Sequence, residues 1–261
     1  MIAVLVLLLV ALAPAQPSED ARALLEEVAS ASRAAKSWFA EGTRVGDLRV
    51  PGMEPLHSES RFKVAYQSPS KMLVENDTTK DSVGGVDPGY RPGTVRVCDG
   101  TDSWISNSPG HSFYHSRLTG QDCRPEIADF SKITEHLVSA EFTGRDRLQV
   151  GGAAKECQLV RAEYAFPVAP MPSANRPAMA HSVVQRFCID PVQKLILRDR
   201  AERQTPAGVT SVDTTTYTTL ERDTDLPADL FRFQVPTGYF EDPEGSTLEM
   251  SSGRVTGVLL R

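Results

Sequence analysis

The sequence has no CxxC pair, no GxSxG elbow, no P-loop and no GxGxxG turn. Those absences exclude the familiar zinc, thioredoxin-like, hydrolase and nucleotide-binding chemistries. Histidine is scarce, at 5 residues, and tryptophan scarcer, at 2. His111 and His115 flank Phe113 at a spacing that would make a metal pair only on a helix. On a strand, four residues span roughly 13 Å, too far for one ion to bridge. His57, His136 and His181 have no neighbouring ligand pattern, so no metal site and no cofactor is expected. Asp99 precedes Gly100, which marks it as a turn residue and not a general base. There is no basic run, and the formal charge is −6. Nucleic acid is therefore not an expected partner.

What the chain does have begins with an uncharged stretch. Residues 1–15, MIAVLVLLLVALAPA, are apolar from Ile2 to Ala13 and end in the small-x-small triplet Ala13-Pro14-Ala15. This is too short to span a bilayer and reads as a secretory signal cleaved after Ala15, although it lacks a basic n-region. No cysteine follows it to carry a lipid. Export makes disulfides the expected state of Cys98, Cys123, Cys157 and Cys188. Four cysteines allow three connectivities. Sequence order favours Cys98–Cys123 and Cys157–Cys188. The second has more support, because 157–166 and 181–190 read as two arms of one hairpin.

The organising stretch is Thr94 to Arg117. Val95 and Val97 alternate with Arg96 and Cys98, Asp99-Gly100 turns the chain, Trp104-Ile105 follow, and Asn107-Ser108-Pro109-Gly110 turns it again into Phe113-Tyr114. That is an antiparallel meander. Before it, Ala21, Leu24, Leu25, Val28, Ala31 and Ala35 form one narrow helical stripe, opened by Ser18 with Glu19 and Asp20. Strands are expected at 37–50, 59–67 and 71–75, and a long loop at 76–93. After it, Ile127, Phe130, Ile133 and Leu137 predict a second helix opened by Arg124-Pro125. Strands follow at 141–150, 157–166, 181–190, 194–203, 208–221 and 232–236, with a Pro-rich loop at 167–180. The pattern predicts a mainly β (α+β) chain: a curled antiparallel sheet of about 10–11 strands with covering helices. Residues 16–240 form the domain, and 241–261 a polar tail.

Several of these stretches resemble the LolA/LolB family of periplasmic lipoprotein carriers, whose fold is shared by the lipid-binding domain of the envelope-stress regulator RseB. They are the Leu24-Leu25-Glu26-Glu27-Val28 helix before an aromatic first strand, Phe62 to Val74 with Ser68-Pro69-Ser70 at the turn, Val97 to Trp104 as a V-x-D-G-x-x-x-W hairpin, and Phe231 to Gly238 as an F-x-F-x-x-P-x-G closing segment. The resemblance implies an unclosed half-barrel, with helices as a lid over a hydrophobic cavity that takes acyl chains. It also marks a departure: the family's Arg before the turn proline is here Ser68.

From the aromatic concentration in 38–118 together with that resemblance, acyl chains are expected to lie on a concave face formed by Phe39, Phe62, Val64, Tyr66, Met72, Val74, Val97, Trp104 and Phe113. The expected function is non-catalytic: a periplasmic, monomeric carrier for lipoproteins or other acylated amphiphiles. Its partner is a lipidated protein or lipid ligand, with an inner- or outer-membrane envelope protein as a delivery partner. The alternative is an RseB-like sensor domain that contacts an envelope protein. An exported enzyme would need an acid, base or nucleophile clustered on one face.

Overall fold

Tight turns set the order of the strands. At Asp99-Gly100 the Asp99 carboxylate accepts from Thr101 N and Asp102 N, each at 2.8 Å, while Gly100 takes a φ of 105°. That closes β4 (Thr94–Asp99) onto β5 (Asp102–Asn107), and β6 (Ser112–Arg117) follows as the third arm of the meander. Upstream lie α1 (Ser18–Ala34), β1 (Ser37–Arg49), β2 (Leu56–Gln67) and β3 (Lys71–Asp81). Downstream come β7 (Leu137–Val150), β8 (Ala153–Phe166), β9 (His181–Asp190), β10 (Leu195–Gln204), β11 (Thr210–Arg222) and β12 (Phe240–Glu241).

The computed structural model describes residues 18–81, 93–108, 110–118, 123–166, 181–205 and 208–243. The expected signal segment 1–15, the Pro-rich loop 167–180, most of the 76–93 loop and the tail beyond 243 lie outside these residues. The twelve strands form one sheet in the order β12-β6-β5-β4-β3-β2-β1-β11-β10-β9-β8-β7. All neighbours are antiparallel except β12, which pairs parallel with β6. Edge strands β12 and β7 do not pair with each other, so the barrel is unclosed.

Period two gives the sheet two distinct faces. On the inner face, Trp38, Tyr66, Met72 and Cys98 share one cross-strand level, and Ala40, Val64 and Val74 the next. On the outer face, Phe39, Ala65, Leu73, Val97 and Trp104 form the intervening level. Helix α1 lies on the inner face of the β7–β10 half. Its Ala21, Leu24, Leu25, Val28 and Ala29 pack with Val160, Ala162, Tyr164, Phe187, Ile189 and Ile196. Burial of Leu24, Leu25 and Val28 contributes about 1.5–3 kcal/mol each. The outer face is covered by the chain itself. A 3-10 turn, Ala228–Phe231, buries Phe231 against Ala65, Leu73 and Val97. At the other end, Leu148 and Val150 pack with Cys157, Cys188 and Leu197.

Both disulfides form as sequence order suggested. Cys98–Cys123 spans a Cα separation of 6.2 Å and Cys157–Cys188 one of 5.3 Å. Three expectations need correction. Residues 124–136 are not a helix. Residues 232–236 are not a strand: Phe233 instead lies over the outer face, its ring centroid 6.1 Å from Trp104 and 5.5 Å from Phe113. The segment expected as a polar tail from 241 also begins inside the fold, because Phe240–Glu241 adds to the sheet and Asp242 is buried.

Candidate functional cleft

Residues 123–136 fail as a helix for a local reason. The backbone bonds here are separate turns, each reaching a carbonyl three residues back: Asp129 N to Glu126 O, Ile133 N to Phe130 O, Glu135 N to Lys132 O, Leu137 N to Thr134 O. Ala128 and His136 sit at positive φ, 62° and 61°, which ends any helical run. The result is a chain of turns lying across the inner face. It is tied down at several points. The Cys98–Cys123 bond fixes its start. Arg124 forms an ion pair with Asp129 at 2.7 Å, donates to Ser32 O at 2.8 Å and lies 5.2 Å above the Tyr66 ring. Ser32 Oγ accepts from Phe130 N at 3.2 Å, Arg33 donates to Ser131 O at 2.7 Å, and Tyr164 OH donates to Ile133 O at 2.8 Å. Helix α1 and this strap therefore form one cover.

Between the strap and the sheet is a cleft of about 350 Å³. Its apolar wall is Phe62, Phe130, Ile133, Phe187, Ala201 and Tyr217. Phe62 and Phe130 meet the Tyr217 ring edge-on at centroid distances of 5.6 and 6.3 Å. Gly42, which pairs with both Phe62 and Tyr217, makes that approach possible. A Cβ there would come within 2.2 Å of Thr216 O and 2.7 Å of Phe62 Cζ.

The polar end of the same cleft is built from inward positions on β1, β10 and β11. Arg44 and Arg203 converge on the Asp213 carboxylate, at 3.4 and 2.5 Å. Asp199 lies beside them, opposite Thr215, which is itself paired with Arg44. No hydrogen bond to the Asp199 carboxyl forms among the described residues, although it is half-buried and lines the cleft. Burial pushes that carboxyl from the ordinary 3.8 up to about 7; Arg44 and Arg203 pull it down and Asp213 pushes it up.

The structure divides the nine residues expected on one face. Phe62, Val64, Tyr66, Met72 and Val74 lie on the inner face; Phe39, Val97, Trp104 and Phe113 lie on the outer. The expectation of a shared face is corrected because Phe39 and Val97 directly neighbour inward residues in sequence, and adjacent strand residues point to opposite sides. Of the inner five only Phe62 lines the cleft; Val64, Tyr66, Met72 and Val74 pack into the core around Trp38 and the Cys98–Cys123 bond. The cleft lies instead over the middle of the sheet. The residues missed were Arg44, Asp199, Arg203, Asp213 and Tyr217. Their signal was Asp199-x-Ala201-x-Arg203 and Asp213-x-Thr215-x-Tyr217, polar groups at period two on strands with an otherwise apolar inner face.

No family model matches the sequence, and the search of curated proteins gives no match. Solved structures that align with this one include a LolA superfamily protein from Nitrosomonas europaea, at 13% identity and a TM-score of 0.38, covering 82% of this chain and 97% of that one. A conserved protein of Thermus thermophilus aligns at 11% identity and a TM-score of 0.39, covering 86% of this chain and 100% of that one. MucB, solved in complex with the periplasmic part of MucA, aligns at 17% identity and a TM-score of 0.37, covering 84% of this chain and 60% of that one. At these scores nothing about function is taken from them. By its own geometry the chain is a mainly β, curled and unclosed sheet, with a helix and a tethered strap over its inner face.

Proposed function

We propose that this chain is a non-catalytic binding protein of the periplasm that holds an acylated amphiphile in the cleft between the strap and the sheet. One observation carries the reading: a single cleft joins an apolar wall (Phe62, Phe130, Ile133, Phe187, Tyr217) to a charged end (Arg44, Asp199, Arg203, Asp213). A molecule that is apolar at one end and polar at the other satisfies both. A purely apolar ligand would leave the charges desolvated, and a purely polar one would leave the aromatics wet. The volume, about 350 Å³, is at the low end of the roughly 300–1,000 Å³ of small-molecule sites. It suits one chain; a lipoprotein with several acyl chains would have to lift the strap. The two disulfides fit an oxidising compartment.

Asp199 alone favours a second reading, because a carboxyl titrating near neutral pH in a cleft is what general acid–base catalysis uses. Asp213, the nearest carboxylate partner, is neutralised by two arginines, and no His, Cys or Ser lines the cleft among the described residues. Binding is the better fit.

The test is native mass spectrometry of the oxidised protein purified from periplasm, with organic extraction of whatever is bound. Added mass in the range of a single-chain lipid, lost in Phe130→Asp, is the expected result. A clean apo mass that stays unchanged after incubation with a lipidated peptide and with free fatty acid would overturn the proposal. Co-purification of a protein without lipid would transfer it to the sensor-like alternative.

A further inference from the structure

The chemistry of the polar end narrows the ligand further, given the amphiphile-binding reading above. We propose that this end is a seat for an anionic head group: Arg44 and Arg203 hold the head of a single-chain amphiphile, and the protonation of Asp199 sets whether the head is accepted.

The placement of these groups supports this. Arg44 on β1 and Asp199 on β10 flank Thr215 on β11 from either side, and Ala201 of β10 is paired with Asp213. Arg203 lies one inward position beyond Ala201. Two guanidiniums therefore converge on one carboxylate, Asp213, with Asp199 alongside both. Guanidiniums offer planar forks of N–H donors suited to carboxylate, sulfonate or phosphate oxygens. The apolar wall begins at once beyond them, at Phe62, Phe187 and Tyr217. An anionic head at the arginines thus puts its chain against the aromatics.

Asp199 is faced by Arg203 on its own strand, Asp213 on β11 and Arg44 on β1. From the strap come Glu126, Asp129 and Lys132, Asp129 being already paired with Arg124; the β9 neighbours Gln185 and Phe187 are neutral. Among these groups four cations, Arg44, Arg203, Lys132 and Arg124, oppose three carboxylates, Glu126, Asp129 and Asp213, plus Asp199 itself. With Asp199 protonated this set, which includes Arg124 just outside the lining, holds one positive charge in excess, and with Asp199 ionised it holds none. An anion entering beside ionised Asp199 also meets a like charge at close range in a half-buried site. Burial pushes the Asp199 carboxyl up to about 7, and an anion beside it raises it further. By linkage, anion affinity is full below about 7 and falls as pH rises through and above it. No histidine lines the cleft among the described residues, so none contributes directly to this change.

The experiment compares three probes with one chain and different heads: decanesulfonate, decanol and decyltrimethylammonium. Each is titrated calorimetrically below its micelle concentration into the full oxidised protein. The sulfonate stays ionised throughout, so any pH dependence belongs to the protein. Decanesulfonate should bind tightest at about pH 5.5, and its affinity should drop roughly ten- to thirtyfold by about pH 8.5, the most that one proton titrating near 7 allows. Asp199→Asn should keep the low-pH affinity across the range. Arg203→Gln should bring the sulfonate down to the level of decanol while leaving decanol binding in place. Sulfonate affinity equal to that of decanol at about pH 5.5 would overturn the head-group assignment and leave the amphiphile reading standing. So would an unchanged pH slope in Asp199→Asn. Failure of all three probes to bind would overturn both.

Discussion

Two residues show how a single side chain can bear both on stability and on the cleft. Asp199 is held by the folded protein in a place that favours its neutral form, at about 7 against an ordinary 3.8. Below about pH 4 the carboxyl is protonated in folded and unfolded chains alike. Between about 4 and 7 the unfolded chain gives up the proton first, so the native state holds more protons and stability falls as pH rises. Above 7 the difference is constant. Asp199→Asn removes this term, so its stability relative to the parent chain should rise steadily between pH 4 and 7 and then level off. Urea unfolding midpoints measured across that range check it; a parallel pair of curves would refute it. Arg124 works the other way, since its charge is needed. It binds Asp129 and Ser32 O and covers Tyr66. Arg124→Ala leaves the half-enclosed Asp129 carboxylate without its cation, held only by Ser32 Oγ and Ser131 N, and should lower the unfolding free energy by roughly 1–3 kcal/mol. Arg124→Lys should recover only part of that, because an ammonium group cannot make the planar, forked set of contacts. Equal losses for the two variants would show that the charge contributes nothing, and full recovery in Arg124→Lys that the charge alone accounts for the effect.

At the scale of elements, the two disulfides close loops of similar size, with sequence separations of 25 and 31, but they restrain different things. Each should contribute roughly 3–4 kcal/mol by loop closure. Replacing Cys98 and Cys123 together by Ala should also release the strap, raising amide exchange across 123–136. Replacing Cys157 and Cys188 should cost similar stability and leave that exchange unchanged, because this pair staples β8 to β9 on the outer face. Gly42 is a second element-scale device: at the β1 irregularity it clears the space that Phe62 and Tyr217 occupy. Gly42→Ala drives a Cβ into a backbone carbonyl and should destabilise by about 1–3 kcal/mol. The turns and strands were legible because their signals are local: Asp99-Gly100 makes the turn its composition implies. The strap was not. Ile127, Phe130 and Ile133 recur at intervals of three, which successive i→i+3 turns produce as readily as a helix does, and nothing local announced the positive φ of Ala128 and His136. The 232–236 segment misled in the same way. Phe231 and Phe233 alternate as a strand would, but they fill gaps on a face whose hydrogen bonds were already made.

At the scale of the whole molecule, the question is which face of the sheet meets a ligand. The sequence pointed to the aromatic half, 38–118, and aromatics there fill both faces: Trp38, Phe62 and Tyr66 inside, Phe39, Trp104 and Phe113 outside. Their number reflects a sheet whose two sides both need cover, the inner from α1 and the strap, the outer from Phe231 and Phe233. The face of any one strand residue is fixed only by register, and the cleft became visible only once Arg44, Thr215 and Asp199 were seen to align across three strands. This yields a test that separates the faces. Phe130→Ala trims the cleft wall at a partly buried position, and Trp104→Ala removes a comparably half-buried ring that stacks on His115 and Phe233 outside. Both should fold, each losing a few kcal/mol at most. If the amphiphile lies in the cleft, Phe130→Ala should weaken decanol binding at least several-fold, by the apolar contact it forfeits. Trp104→Ala should leave that affinity within error. The reverse order would place the ligand on the outer face, beneath the C-terminal segment, and would make the cleft a structural space between the strap and the sheet.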